Sequence, residues 1–312
     1  MPLRRAPEQG AGTQLCAAAA LRYSGRVLAA PAMSPVLSCY QAAPLLDARQ
    51  RGLREAVTSL DLGRSSTAAT LHEGFVEAGG STIDWASLAR IAANESVCFG
   101  LGEGEPQPLR VFSEAANRSF QLWPTPTSPA LVISGFLMHR IRDVAPDVGA
   151  ARMVGALGRL HGRVLDTTTG LGYAAIAASR SAAEVVTIEV EPAVREMARL
   201  NPWSRELFES PKIRLTSGDS AAIVPTLEPG SFSAIVHDPP AVNLAGELYS
   251  GALYAAFRRA LKTRTGKLFH YIGDADSPSG ARTTRGVVKR LGEAGFSRVT
   301  VLKDAFGVLA SV

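Results

Sequence analysis

Cysteine is scarce in this chain: three residues in 312, Cys16, Cys39 and Cys98, an odd count without CxxC spacing. That argues against a disulfide framework or a zinc site and suits a reducing compartment. Long apolar runs are missing too. Nothing approaches the roughly 18 consecutive uncharged apolar residues of a membrane span, so none is expected. Acids are nearly absent from the first 46 residues, where Arg4, Arg5, Arg22 and Arg26 face Glu8 alone. That segment supplies +3 of the net +5, so the remainder of the chain is close to neutral and lacks the dense basic stripe that a large duplex target would call for. An Ala- and Arg-rich, acid-poor start has the composition of an organelle transit peptide, for a chloroplast or mitochondrion. A disordered tail, or translation from Met33 in a cytoplasmic protein, remains open.

What the chain does have, at 46 % hydrophobic, is enough apolar material for one full core and a small second one. Residues 1–47 read as the transit peptide or tail. Residues 48–144 read as a small β-rich α+β domain. Gly79-Gly80 punctuates brief alternating runs into a hairpin, and Asp84 caps a helix with apolar residues at Trp85, Leu88, Ile91 and Ala92. Strands are expected at Arg110–Phe112, Ser119–Trp123 and Ala130–Ser134. Residues 145–312 alternate strictly. Strands are predicted at 163–166, 184–189, 212–217, 232–237, 266–272, 297–303 and 307–311, with helices near 173–180, 192–200, 220–227, 250–262 and 283–294. Alternation implies crossover connections and a mainly parallel, Rossmann-like α/β sheet of seven strands. The short Asp304-Ala-Phe306 turn makes the last strand antiparallel.

Chemistry-bearing residues recur at the predicted strand ends, the edge at which open α/β sheets bind ligands. The first strand ends Asp166-Thr-Thr-Thr-Gly-Leu-Gly172, the second on Glu189, the third runs into Gly218-Asp219, and the fourth ends His237-Asp-Pro-Pro240. An acid about 20 residues beyond a glycine loop is where a ribose diol is held, and NAD or FAD would ask for the same Glu189. The fourth strand arbitrates between them.

Asp166-Thr-Thr-Thr-Gly-Leu-Gly172 resembles the first motif of class I methyltransferases that use S-adenosyl-L-methionine. His237-Asp-Pro-Pro240 resembles their [Asp/Asn]-Pro-Pro-aromatic motif, found in enzymes that modify planar amino nitrogens. The wider strings Asn201–Phe208, Leu244–Ser250, Leu268–Tyr271, Ser59–Gly63 and Ile133–Arg140 are similar to a group of predicted methyltransferases, best represented in archaea, of unknown substrate. The resemblance covers roughly residues 55–312. It implies a methyltransferase domain needing no metal, with cofactor contacts from Asp166, Thr168, Gly170, Gly172, Glu189, Asp219, Ser220 and His237. Asp166 would meet the cofactor's ammonium, directly or through water. Catalysis would fall to Asp238, Pro239 and Pro240, because a conjugated nitrogen is a poor nucleophile and two fixed acceptors for its N–H groups hold it for attack.

Glu247, Tyr249, His270 and Tyr271 fall on the loops after the fourth and fifth strands, the rim where substrate rests. Glu247 would orient an amine or cap a helix, and His270 would bond substrate or sit satisfied in the core. His139 and Arg140 would close over the site. The chain departs from the resemblance at Ala241 and Val242, where the archaeal group has Arg and Phe. An aromatic platform must then come from Tyr249, Tyr254, Phe269 or Tyr271. The acceptor stays open between a nucleic-acid base, including RNA, a protein side chain and a small amine. Two rivals also stay open: an aminopropyltransferase of the spermidine synthase kind, and a binding module without activity.

Overall fold

The computed structural model describes residues 34–102, 104–242 and 245–312. The expectation for residues 1–33 lies outside them. The boundary at 47 is corrected. Residues 36–50 are folded, as a strand Val36–Leu37 and a helix Cys39–Gln50 that buries Leu37, Ala42 and Leu45. Ser38 and Gln41 form a capping box that fixes the start of this helix. The burial of this helix is a long-range outcome, and its local capping signal is overshadowed by the arginine-rich composition upstream.

Among the described residues, the amino-terminal part holds three small antiparallel sheets. Val36–Leu37 pairs with Phe99–Gly100, which pairs with Gln107–Pro108. Glu55–Thr58, Thr67–Leu71, Phe75–Ala78 and Ser81–Asp84 form a meander that ends on the helix Trp85–Ala92. Asp84 caps that helix through Ser87 N–H at 2.8 Å. Arg110–Ser113, Arg118–Trp123, Ala130–Ile133 and Phe136–Leu137 make the third sheet.

A helix, α1 (Pro146–Gly155), leads into the large sheet, and the sequence reading missed it. The chain then runs β1 (Arg163–Asp166), α2 (Tyr173–Ser179), β2 (Glu184–Glu189), α3 (Pro192–Leu200), α4 (Arg205–Glu209), β3 (Ile213–Ser217), α5 (Ser220–Ile223), β4 (Ala234–His237), α6 (Gly251–Ala260), β5 (Lys267–Tyr271), α7 (Pro278–Glu293), β6 (Arg298–Leu302) and β7 (Gly307–Ser311). The last helix begins five residues before its predicted start because Ser277 caps it and Pro278 occupies its first position. Strand order is β3-β2-β1-β4-β5-β7-β6, parallel except for β7, which is antiparallel to both neighbours.

Side chains leave a strand alternately to its two faces, and both faces here are covered. Val164, Val236 and Phe269 join the apolar cluster of α1, α2 and α3. Leu165, Ile235 and Leu268, one residue out of step, join the cluster of α6 and α7. The first cluster also takes in Val36, Leu62, Leu122 and Leu131, so the packing does not break at residue 144. The described residues form one compact unit. No described helix is long and apolar enough to cross a membrane. Because β1 and β4 are neighbours while the chain leaves β1 toward β2, a crevice opens between their carboxyl ends.

Candidate active site

A cleft of about 470 Å³ lies at that crevice. Thr168, Gly170, Glu189, Asp219, Ser220, Asp238, Pro239, Pro240, Glu247 and Tyr271 all line it. The loop after β1 forms its floor. Gly170 sits at φ +54, and a Cβ there would meet no protein atom within 4 Å, so this position faces open space a ligand can approach. Glu189 reaches back under the loop, its Oε2 accepting from Gly170 N–H at 2.9 Å and its Oε1 from Glu191 N–H at 3.0 Å. Burial raises its pKa. Asp219 caps α5 through Ala221 N–H at 2.8 Å, and the Ser220 hydroxyl donates to the Thr167 carbonyl.

The loop after β4 is pinned on both sides. The Thr168 hydroxyl donates to the Asp238 carbonyl at 2.7 Å, and the Tyr249 hydroxyl to the Pro240 carbonyl at 3.0 Å. Among the described residues nothing donates to the Pro239 carbonyl between them. The Asp238 carboxyl is pushed up to about 7 by burial. Asp166 is also pushed up to about 7 by burial, with Asp238 nearby adding to the rise. Two desolvated carboxyls on one cleft, Glu189 and Asp238, favour a cationic ligand, whose charge would offset their burial cost.

Five of the sequence-predicted residues stand behind the cleft. Asp166 is fully buried beneath the loop, with Oδ2 accepting from the Thr187 hydroxyl at 2.7 Å and Oδ1 unpartnered among the described residues. It supports the loop and does not open on the cleft. Gly172 is needed for packing: at φ +83, a Cβ would lie 2.7 Å from Leu207. His237 is sealed in the core. The Leu248 carbonyl, 2.8 Å from Nε2, can only accept, so Nε2 carries the proton and Nδ1 accepts from the Thr167 hydroxyl at 2.6 Å. Burial holds this ring near pKa 4, hence neutral. Tyr249 serves as the brace on Pro240.

His270 is corrected from rim to core. It has no exposed surface, donates from Nδ1 to the Tyr271 carbonyl at 2.7 Å and accepts at Nε2 from Tyr254 at 2.8 Å. The strand-end position is right, but its side chain points to the inward face. His237 and His270 meet edge-on with centroids 4.5 Å apart. Tyr254 and Phe269 are likewise core.

The sequence reading missed α1, which contributes Gly149, Arg152 and Met153 to the cleft wall, and also missed Phe306. Ala145-Pro146-Asp147 was the available signal for α1, with proline at the first helical position. His139 and Arg140 do line the cleft. His139 accepts at Nδ1 from Leu131 N–H at 3.1 Å, and burial lowers its pKa to about 4.

No family model matches the chain. Two solved structures share its fold at 16 % identity, an identity that speaks for the fold alone. One is a spermidine synthase in complex with the transition state analogue AdoDATO, with a TM-score of 0.53, covering 64 % of this chain and 71 % of that one. The other is the spermidine synthase of Thermotoga maritima, with a TM-score of 0.51 and coverage of 64 % and 70 %. The similarity shows a shared Rossmann-like α/β fold. In sequence the chain is 38 % identical over 227 residues to the uncharacterized protein MJ1233 of Methanocaldococcus jannaschii, covering 72 % of this chain and 76 % of the relative. The chain belongs to the family of that archaeal protein.

Proposed function

We propose that the protein moves a methyl group from S-adenosyl-L-methionine to a nitrogen of its acceptor. The observation that carries this reading is the shared cleft, lined by Gly170 after β1, by Glu189 at the end of β2 and by Asp238-Pro239-Pro240 after β4. Glu189 is set to accept the two ribose hydroxyls with lone pairs left after its backbone bonds, and Asp219 stands after β3 where adenine would lie. When bound, the donor supplies an electrophilic methyl on a sulfonium. The protein's part is positional. Asp238 and the Pro239 carbonyl accept the acceptor's N–H bonds, the prolines hold that carbonyl in place, and the nitrogen is presented in line with the methyl. Asp238 then takes the proton the nitrogen sheds on methylation, a role suited to a carboxyl poised near neutrality.

A second reading has a specific observation behind it. Both fold neighbours are spermidine synthases, and Glu247 joins Asp238 in lining the cleft, as a second carboxylate for a polyamine would. Labelled S-adenosylmethionine and its decarboxylated form, each offered with extract fractions as acceptor, separate the two. The methyl reading expects label from the first donor and roughly a hundredfold loss in Asp238→Asn with donor affinity nearly unchanged. Turnover of the decarboxylated donor alone would replace it with aminopropyl transfer. Donor binding without transfer to any fraction would leave a binding module.

A further inference from the structure

Beyond Asp238 the cleft ends on a feature that methyl transfer itself does not use. Phe306, in the turn between β6 and β7, adopts φ 55 and ψ 34, the left-handed region that a bulky side chain avoids. The conformation is fixed from both sides. Phe306 N–H donates to the Lys303 carbonyl, and its own carbonyl accepts from Ile272 and Gly273 N–H at 2.9 and 3.2 Å. Glycine or asparagine would fill this corner at less cost, so the phenylalanine stands there against its backbone preference. Its ring lines the cleft, and the Arg140 guanidinium lies over it, 4.2 Å from the centroid.

Sheet order says which end of the cleft this is. Gly307, the next residue, pairs with Tyr271 at the end of β5, so Phe306 sits at the same edge as the other strand ends. Neighbouring strands lie about 4.8 Å apart, so this corner is about 10 Å past the end of β4 and about 19 Å from β2. Glu189 is therefore at the far end, and Asp238 stands between. Arg140, Tyr271 and Asp238 all line this cleft, so the guanidinium and the carboxylate border the same space.

Arg140 is poorly neutralised. Among the described residues its carboxylate partner is Asp143, at 4.0 Å and largely exposed. The guanidinium held over the Phe306 ring is a planar fork of N–H donors of the kind that matches a carboxylate or phosphate.

We propose that Arg140, laid on Phe306 at the acceptor end of the cleft, binds an oxyanion of the methyl acceptor, which is therefore a small amine bearing a carboxylate or phosphate. The assignment of this end to the acceptor rests on the proposed seat of the donor at Gly170 and Glu189. A cleft of about 470 Å³ shared with a donor suits a small molecule. Phe306 acts through Arg140 and is a positioning residue.

The test is equilibrium binding of inorganic phosphate and, separately, of malonate to the full-length protein, with and without S-adenosylhomocysteine. One saturable site is expected, and whichever probe binds more tightly identifies the oxyanion. Arg140→Ala should weaken it about tenfold or more, with partial recovery in Arg140→Lys, because the lost bonds are charge-assisted. Phe306→Gly keeps the left-handed turn and should lose anion affinity while its melting temperature holds or rises, and Phe306→Tyr should restore the affinity. Titration of the Arg140→Ala variant with S-adenosylmethionine should match wild type. The proposal is overturned if wild type shows no saturable anion site, or if the site survives in Arg140→Ala. It also falls if that variant instead loses S-adenosylmethionine, which would assign Arg140 to the donor's own carboxylate. An Arg140-dependent anion site in a protein that binds no S-adenosylmethionine would overturn the donor reading and keep the anion site.

Discussion

Replacing Glu189 by glutamine, a change of one atom, should be damaging, and the reason lies in what the carboxylate already does. Each of its oxygens accepts a backbone N–H, from Gly170 at 2.9 Å and Glu191 at 3.0 Å. Whichever way a glutamine amide turns, its NH2 meets one of those donors head-on. A buried donor left unsatisfied costs about 1–3 kcal/mol, and here the cost is felt by the loop that floors the cleft. The amide also offers a ribose diol one acceptor oxygen where the carboxylate offered two charged ones. Together these predict about 2–3 kcal/mol less donor affinity, roughly a 30-fold to 150-fold rise in Kd. Glu189→Ala leaves room for water to reach both N–H groups, so it should be no worse than glutamine. Calorimetric titration with S-adenosylmethionine and with its decarboxylated form should give the same loss for both donors, since they share the ribose. A Glu189→Gln protein binding within about threefold of wild type would refute the reasoning.

Three further outcomes are expected. Gly172→Ala, at φ +83 and driving a Cβ toward Leu207, should lower stability by about 1–3 kcal/mol in thermal melts, whereas Gly170→Ala should chiefly weaken donor binding; equal melting losses in the two would contradict their different surroundings. Transfer should rise with pH through about 7 as Asp238 ionises, and Asp238→Asn should remove that limb from the rate profile. Urea denaturation should show stability falling as pH drops from 6.5 through about 4, because the unfolded chain takes up protons that buried His237 and His270 refuse. Asp166 and Asp238 oppose this, since their raised pKa values give a contribution that is full below 3.8 and lost as pH rises through about 7. Asp238→Asn should therefore steepen the acid-side decline, and an unchanged slope would count against the assignment.

The seven strands were legible because parallel strands buried on both faces read as short apolar runs, and their ends were marked by Asp166, Glu189, Asp219 and Asp238. Glu189, Asp219 and Asp238, which open on the cleft, follow from those ends by topology. What was not legible depends on side-chain direction and on distant packing. His270 occupies a rim position in the chain, yet the alternation of the pleat turns it inward to Tyr254. Gly172 looks like a second approach glycine, and only the course of α4 brings Leu207 against it. Phe306 escaped notice because nothing in an Asp-Ala-Phe turn announces a left-handed phenylalanine. The start of the fold was misjudged because the helix Cys39–Gln50 has little amphipathic pattern of its own.

The hydroxyl of Thr168 on the carbonyl of Asp238 joins the floor of the proposed donor seat to the loop that would face the acceptor. These two loops cannot adjust independently. Whatever steadies one lowers the entropy still to be lost at the other, so each ligand should find a better-ordered partner site when the other is already seated. By linkage that help is mutual and equal in free energy. A protein wired this way would discriminate against a lone acceptor or a lone donor through a single side-chain hydroxyl, one methyl group away from a serine.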